Sequence, residues 1–243
     1  MRVANKKPLC AYNFRILLVA SHIIAYHDKK LTAKHTIFCL QKKKNEEKRE
    51  TPMPRVEIQE KQTIFSQRNF QIQEAKLRFE KFNGQMSEPV TKLVFERGDA
   101  AAALIYNRDS QKVVLIRQFR YPAYGRGSGW LCEVVAGGIE EQETPEQCII
   151  REVHEEVGYQ LHDLVSIATF YVSPGGTSER IMLYYAEVTD ADRISQGGGL
   201  ASEDIELVEL TLPEFWHELQ EGHIIDAKTL IAAQWFQAFK AKQ

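Results

Sequence analysis

Three glutamates on one short stretch of the chain, Glu152, Glu155 and Glu156, are the side chains best suited to do chemistry. On a helix they fall at i, i+3 and i+4, where each like-charged pair costs about 0.2–0.5 kcal/mol. Arg151 offsets part of that cost through an i,i+4 pair with Glu155. Hard oxygen donors gathered this way suit Mg2+ or Mn2+, which bind through a few carboxylates together with substrate phosphates. The charge pattern alone also admits a plain solvated acidic face. The neighbouring residues favour the cation, because the cluster abuts an apolar stripe and follows a glycine turn. In Ala136-Gly137-Gly138 the missing side chains let backbone carbonyls approach a ligand closely.

The elements that must position these groups are legible nearby. Thr144 can cap a helix, Pro145 suits its first position and Gln147 completes a capping box. Gly158 is a left-handed stop, so a helix is predicted over Pro145 to Val157, with Ile149, Ile150, Val153 and Val157 as its apolar stripe. A strand over Trp130–Val135 leads into the glycines. From Val56 the chain alternates in the strand manner. Strands are predicted at Asn69–Glu74, Lys76–Phe82, Thr91–Glu96, Ala100–Tyr106 and Val113–Phe119. Asn83-Gly84 and Asn107–Lys112 read as hairpin turns. Further strands follow at Thr169–Ser173, Ile181–Val188 and Ile205–Leu212, then helices at Pro213–Glu221 and Ala227–Lys240. The class is α/β, a mixed sheet packed between helices.

The 243 residues carry a net charge of −2 that conceals an asymmetry. Residues 1–55 hold 13 Lys/Arg against 4 Asp/Glu, or +9, and the remainder is −11. An acidic catalytic part argues against a nucleic-acid partner and suits a nucleotide held through a metal. The apolar run Ile16 to Tyr26 is too short for a membrane span, and no membrane partner is expected. Residues 1–55 read as a disordered or artefactual basic extension rather than a targeting segment. Cys10, Cys39, Cys132 and Cys148 have no paired spacing, so reduced thiols and a cytoplasmic location are expected.

Taken together, Gly137, Glu143, Arg151-Glu152, Glu155-Glu156 and Gly158 resemble the Nudix box at every fixed position, with Tyr159 where an aliphatic residue is usual. The resemblance covers about residues 56–243. It implies a Nudix α/β/α sandwich over 98–243, preceded by an antiparallel strand region over 56–97 through which relatives form homodimers. It also implies metal-dependent hydrolysis of a nucleoside diphosphate linked to another group. Glu152 and Glu156 match the principal metal ligands, Glu155 a supporting one, and the Ala136 carbonyl a recurrent backbone ligand. Outside the box, Ser173 to Arg180, with Pro174 fifteen residues past it, resembles the ADP-ribose hydrolases. Gly197-Gly198-Gly199 with Glu203–Glu206, and Ile225–Thr229, resemble the GDP-mannose hydrolases.

By these positions the catalytic set is Glu203, Glu155 and Arg151, with Glu203 preferred to Glu206 as general base or further metal ligand on a mobile glycine tether. The expected substrate contacts are Arg120, Glu133, Gly137, Gly138, Glu179 and Lys228. Lys92 or Arg97 is the candidate reaching a partner's site. Arg117 reads as a surface charge and Trp130 as a core aromatic. The implied activity is Mg2+-dependent cleavage of a nucleotide sugar, GDP-mannose or ADP-ribose, to a nucleoside monophosphate and a sugar phosphate. The alternatives are another Nudix substrate, such as a dinucleoside polyphosphate or an oxidised nucleotide, and a non-catalytic nucleotide-sugar sensor.

Overall fold

A computed structural model describes residues 53–199 and 204–240. The strands are β1 (Val56–Gln67), β2 (Phe70–Phe79), β3 (Val90–Glu96), β4 (Ala100–Asn107), β5 (Lys112–Phe119), β6 (Trp130–Glu133), β7 (Val135–Gly138), β8 (Val165–Tyr171), β9 (Arg180–Val188) and β10 (Glu206–Thr211). The helices are α1 (Tyr121–Tyr124), α2 (Pro145–Val157), α3 (Leu212–Gln220) and α4 (Ala227–Lys240).

The larger sheet runs β10-β5-β4-β9-β8, with β6 on β5 and β7 on β4. Only β4 and β9 are parallel, so the sheet is mixed. All of β4 is buried, and alternation divides it between two cores. Ala102, Leu104 and Tyr106 pack with Phe215, Ala233 and Phe236 of α3 and α4. Ala101, Ala103 and Ile105 pack with Ile149, Val153 and Val157 of α2. The result is the expected α/β/α sandwich. Ile150 departs from the expected stripe: it is 38% exposed, and Cys148 takes its place at the core.

β5 pairs with β4 only at Ile105–Asn107 and then diverges. The predicted strand over Trp130–Val135 is therefore two strands, because β6 follows β5 and β7 follows β4 into the opening. At the bend between them, Val134 donates its N–H to Thr229 Oγ1 at 2.9 Å. Thr229 Oγ1 donates in turn to Asp226 Oδ2 at 2.7 Å, which also accepts from Thr229 N. This chain pins the start of α4 to the sheet at its widest point. Thr229 is fully buried, so Thr229→Val strands the Val134 N–H; thermal unfolding should show a loss of about 1–3 kcal/mol.

β1, β2 and β3 form a separate antiparallel sheet. Asn69–Glu74 and Lys76–Phe82, expected as two strands, are the single strand β2, since both neighbours pair straight through Ala75. β1 turns into β2 at Arg68-Asn69, with Arg68 at φ 54, and the expected Asn83-Gly84 turn follows β2, with Lys81 N donating to Gln85 O at 2.8 Å inside the Glu80–Met86 bridge. β3 joins this sheet to the site: Phe95 N donates to Gly176 O at 2.8 Å, and Ser178 Oγ donates to Glu96.

Candidate active site

A cavity of about 370 Å³ opens where β4 and β5 part. Ala136, Gly137, Gly138, Glu152 and Glu156 form an acidic stretch of its wall, and Arg120, Asp226 and Lys228 form another. Arg97, Gln118, Phe170, Val172 and Glu179 are also in the lining.

The acidic wall follows from the local sequence of α2. Thr144 Oγ1 accepts from Gln147 N, and the Gln147 side chain accepts from Thr144 N, so the expected capping box is present. Gly158 closes the helix at φ 76. Arg151 is engaged more fully than an i,i+4 pair implies. Its Nε and Nη2 grip both oxygens of Glu143, at 2.9 and 3.0 Å. Its Nη1 reaches Glu152 at 2.7 Å and Glu155 at 3.4 Å. These bonds, the one to Glu143 foremost, raise the Arg151 pKa and hold the Glu143 carboxyl below its ordinary range. Arg151 and Glu155 lie outside the cavity lining, and from there Arg151 steadies Glu152.

Gly137 has a steric reason. A Cβ there would meet Glu152 Oε1 at 1.9 Å, so only glycine lets this carboxylate lie against the backbone. Cys148 Sγ donates to the Gly137 and Gly138 carbonyls at 3.5 and 3.4 Å. Burial, with Glu143 and Glu152 nearby, pushes that thiol up to about 12, so it remains a donor. Cys148 and Cys132 are free thiols, while Cys10 and Cys39 lie outside the described residues.

The donor set fits a divalent cation. Glu152 and Glu156, the latter 4% exposed, present carboxylates into the cavity beside a backbone turn held open for one of them. Among the described residues no three acidic, His or Cys groups form a cage by themselves. Two carboxylates plus ligand phosphates is the pattern Mg2+ commonly takes.

The glycine run is an anchor. Gly198 N donates to Glu156 O at 2.9 Å and Gly199 N to Glu155 O at 3.0 Å. A Cβ on Gly197 would meet Glu156 O at 2.4 Å. The expected mobile tether is thus, over Gly197–Gly199, fastened to the last turn of α2. Glu203 lies outside the described residues. Glu206 pairs with Arg117 at 2.7 Å on the surface, where Arg117 is expected.

Arg120, Asp226 and Lys228 belong to a chain of charges drawn from three elements. Arg120 Nε donates to Glu133 Oε1 at 2.6 Å, and Lys228 Nζ donates to Glu133 Oε2 at 2.9 Å and to Asp226 Oδ1 at 2.7 Å. Burial works against the Lys228 charge, but Glu133 and Asp226 outweigh it and hold the pKa above its ordinary value. Asp226 is lowered: burial opposes ionisation, and the Lys228 charge with bonds from Lys228 and Thr229 overcomes it. Glu133 itself, 1% exposed, sits behind the two cations rather than on the cavity surface.

Glu179 also lines the cavity, with Arg97 Nε 3.5 Å from it. Arg97 also lies over the Phe70 ring at 5.9 Å, and so belongs to its own chain's cavity. Lys92 is not among the lining residues. Trp130 is a correction. It is 43% exposed, edge-on to Phe119 at 5.7 Å, because β6 starts there, opposite the exposed last residue of β5 rather than in the core. Gln118 escapes the sequence reasoning, although it stands two residues before Arg120 and strand alternation places both on one face. Asp226 escapes it too as a wall residue. Its signal is the Asp226–Thr229 spacing of a helix cap.

A NUDIX domain is matched over residues 96–239, more than half of the chain. The chain belongs to the NUDIX domain family. It is accordingly a Nudix hydrolase by family. It is 42% identical over 146 residues to the GDP-mannose pyrophosphatase of Cronobacter sakazakii, spanning 59% of this chain and 76% of that one. It is 41% identical over 147 residues to the enzyme of the same name from Citrobacter koseri, spanning 60% and 76%. The solved structure of an ADP compounds hydrolase shares the fold, with a TM-score of 0.61 at 20% identity, over 78% of this chain and 96% of that one. Among the described residues no helix is long and apolar enough to cross a membrane.

Proposed function

We propose that this Nudix hydrolase cleaves the diphosphate of a nucleoside diphosphate sugar, GDP-mannose first, to a nucleoside monophosphate and a sugar phosphate. The observation that carries this reading is that two acidic groups, Glu152 and Glu156, and two cationic ones, Arg120 and Lys228, line one cavity. A diphosphate needs the first to be bridged by a metal and offers the second the charge of its phosphates. The GDP-mannose pyrophosphatases above supply the choice of base and sugar.

In this reading Ala136 O, Glu152 and Glu156 hold Mg2+, with Mn2+ as a substitute and Glu155 in support. The bound metal neutralises the diphosphate and makes water a better nucleophile. Arg151 keeps Glu152 aimed, and Gly137 and Gly138 let the backbone approach. Glu203, beyond the anchored glycines, is the proposed carboxylate that takes the proton of the attacking water. Arg120 and Lys228 orient the substrate by its charge, and Glu179 accepts from its hydroxyls. We also propose a homodimer through β1–β3, where Val56, Ile58, Ile64, Phe65 and Leu93 are each exposed.

The test is product analysis on a nucleotide-sugar panel with Mg2+. Guanosine monophosphate and mannose phosphate are expected from GDP-mannose, and no turnover of any nucleotide sugar refutes the proposal. Chelation should abolish turnover, with Mg2+ or Mn2+ restoring it. Undiminished activity in excess chelator would rule out the metal assignment.

A further inference from the structure

Glu133 is expected from its position to touch the substrate, but its surroundings give it different work. Its carboxylate is 2% exposed, and both oxygens are already taken, Oε1 by Arg120 Nε at 2.6 Å and Oε2 by Lys228 Nζ at 2.9 Å. A sealed carboxylate only accepts hydrogen bonds and would repel the phosphates of an anionic substrate. The two cations it holds do line the cavity.

We propose that Glu133 is a positioning residue that locks the Arg120 guanidinium and the Lys228 ammonium into one anion-binding unit, without itself contacting the substrate. The proposal rests on reading this cavity as a nucleotide-sugar site.

Arg120 follows β5, Glu133 ends β6, and Lys228 opens α4, so nothing along the chain fixes the two cations relative to each other. Both are long side chains with many rotamers, and a shared buried carboxylate restricts them before the substrate arrives. It also screens their mutual repulsion. Among the described residues Arg120 spends only Nε on this bond, which leaves the planar fork for a ligand. Lys228 uses two of its three donors, on Glu133 and Asp226. A purely structural role is poorly supported, because α4 is fastened to the sheet separately, through Asp226, Thr229 and Val134 N.

The measurement is steady-state kinetics on a nucleotide sugar that the wild type hydrolyses, for Glu133→Gln, Lys228→Met and the double variant. Glu133→Gln should raise KM about tenfold, the size expected for one lost charge-assisted bond, with kcat changed much less. The double variant should have a KM well below the product of the two single effects, because the first substitution already frees Lys228 from its place. Independent, multiplicative effects, an unmoved KM, or a fall in kcat alone would each overturn the proposal. Should Glu133→Gln fail to fold, Glu133→Asp keeps the charge but is one methylene too short to hold both donors. The same rise in KM is then expected, and an unchanged KM overturns the clamp. A wild-type chain that turns over no nucleotide sugar refutes the functional reading and the clamp together. Wild-type turnover with an unmoved variant refutes the clamp alone.

Discussion

Glu156→Gln should lower kcat on the order of 10²–10³-fold while leaving the fold intact, since a metal is worth several kcal/mol of charge stabilisation at the reacting phosphate. The substitution keeps the shape of a side chain that is 4% exposed and packed at the border of the α2 core. It removes one negative charge from a wall that already carries Glu152. Repulsion between neighbours falls, so the melting temperature should hold or rise even as turnover is lost. The Mg2+ concentration needed for half-maximal activity should increase in the same variant. Activity and metal requirement both at wild-type levels would sink the assignment of Glu156 as a ligand.

The second large effect is expected from Gly137→Ala. The added Cβ would meet Glu152 at Oε1, Cδ and Cγ, at 1.9, 2.0 and 2.5 Å. No φ in the left-handed region is involved, so the cost is steric rather than conformational. The atoms struck are the far end of a side chain, which can rotate aside. The relief is therefore cheap for the fold and costly for the site, because the carboxylate leaves both its seat on the backbone and the Arg151 bond at 2.7 Å. A loss of about 10–100-fold in activity is expected, the range typical when a metal ligand's support is disturbed. Circular dichroism melting should change little. Full activity at ordinary Mg2+ would show that Glu152 does not depend on this contact, and a large drop in melting temperature would show that the clash falls on the fold instead.

The two effects share one cause, which also explains the box spacing in physical terms. Glu143 grips Arg151, Arg151 steadies Glu152, and the glycine makes room for the carboxylate. Each link lies within about one turn of helix or one loop of the next. That locality is why the acidic wall is legible in the sequence. Helix capping and the left-handed Gly158 are fixed by residue types a few positions apart. The 3.6-residue period then decides which glutamates share an arc, although it overextends the buried stripe to Ile150.

The cationic part of the cavity is less legible. Glu133, Arg120 and Lys228 each stand out alone, but not that the first is buried beneath the other two. Their contact needs β5 to leave β4 and the β6–β7 bend to fill the gap, and that divergence has no local signature. The same bend splits a predicted strand in two, and Trp130, at the start of β6, is exposed rather than in the core. Gly197–Gly199 suggest mobility because glycine is permissive, whereas packing against Glu156 O makes the small size of Gly197 a requirement.

The sequence by itself determined which glutamates share the acidic wall, the α/β class and the family, because these rest on residue types at short, fixed spacings. Only the tertiary structure decided how Arg120 and Lys228 are held, and that Arg97 faces its own cavity. Those facts depend on contacts between elements up to 95 residues apart, where strand order and burial set the geometry.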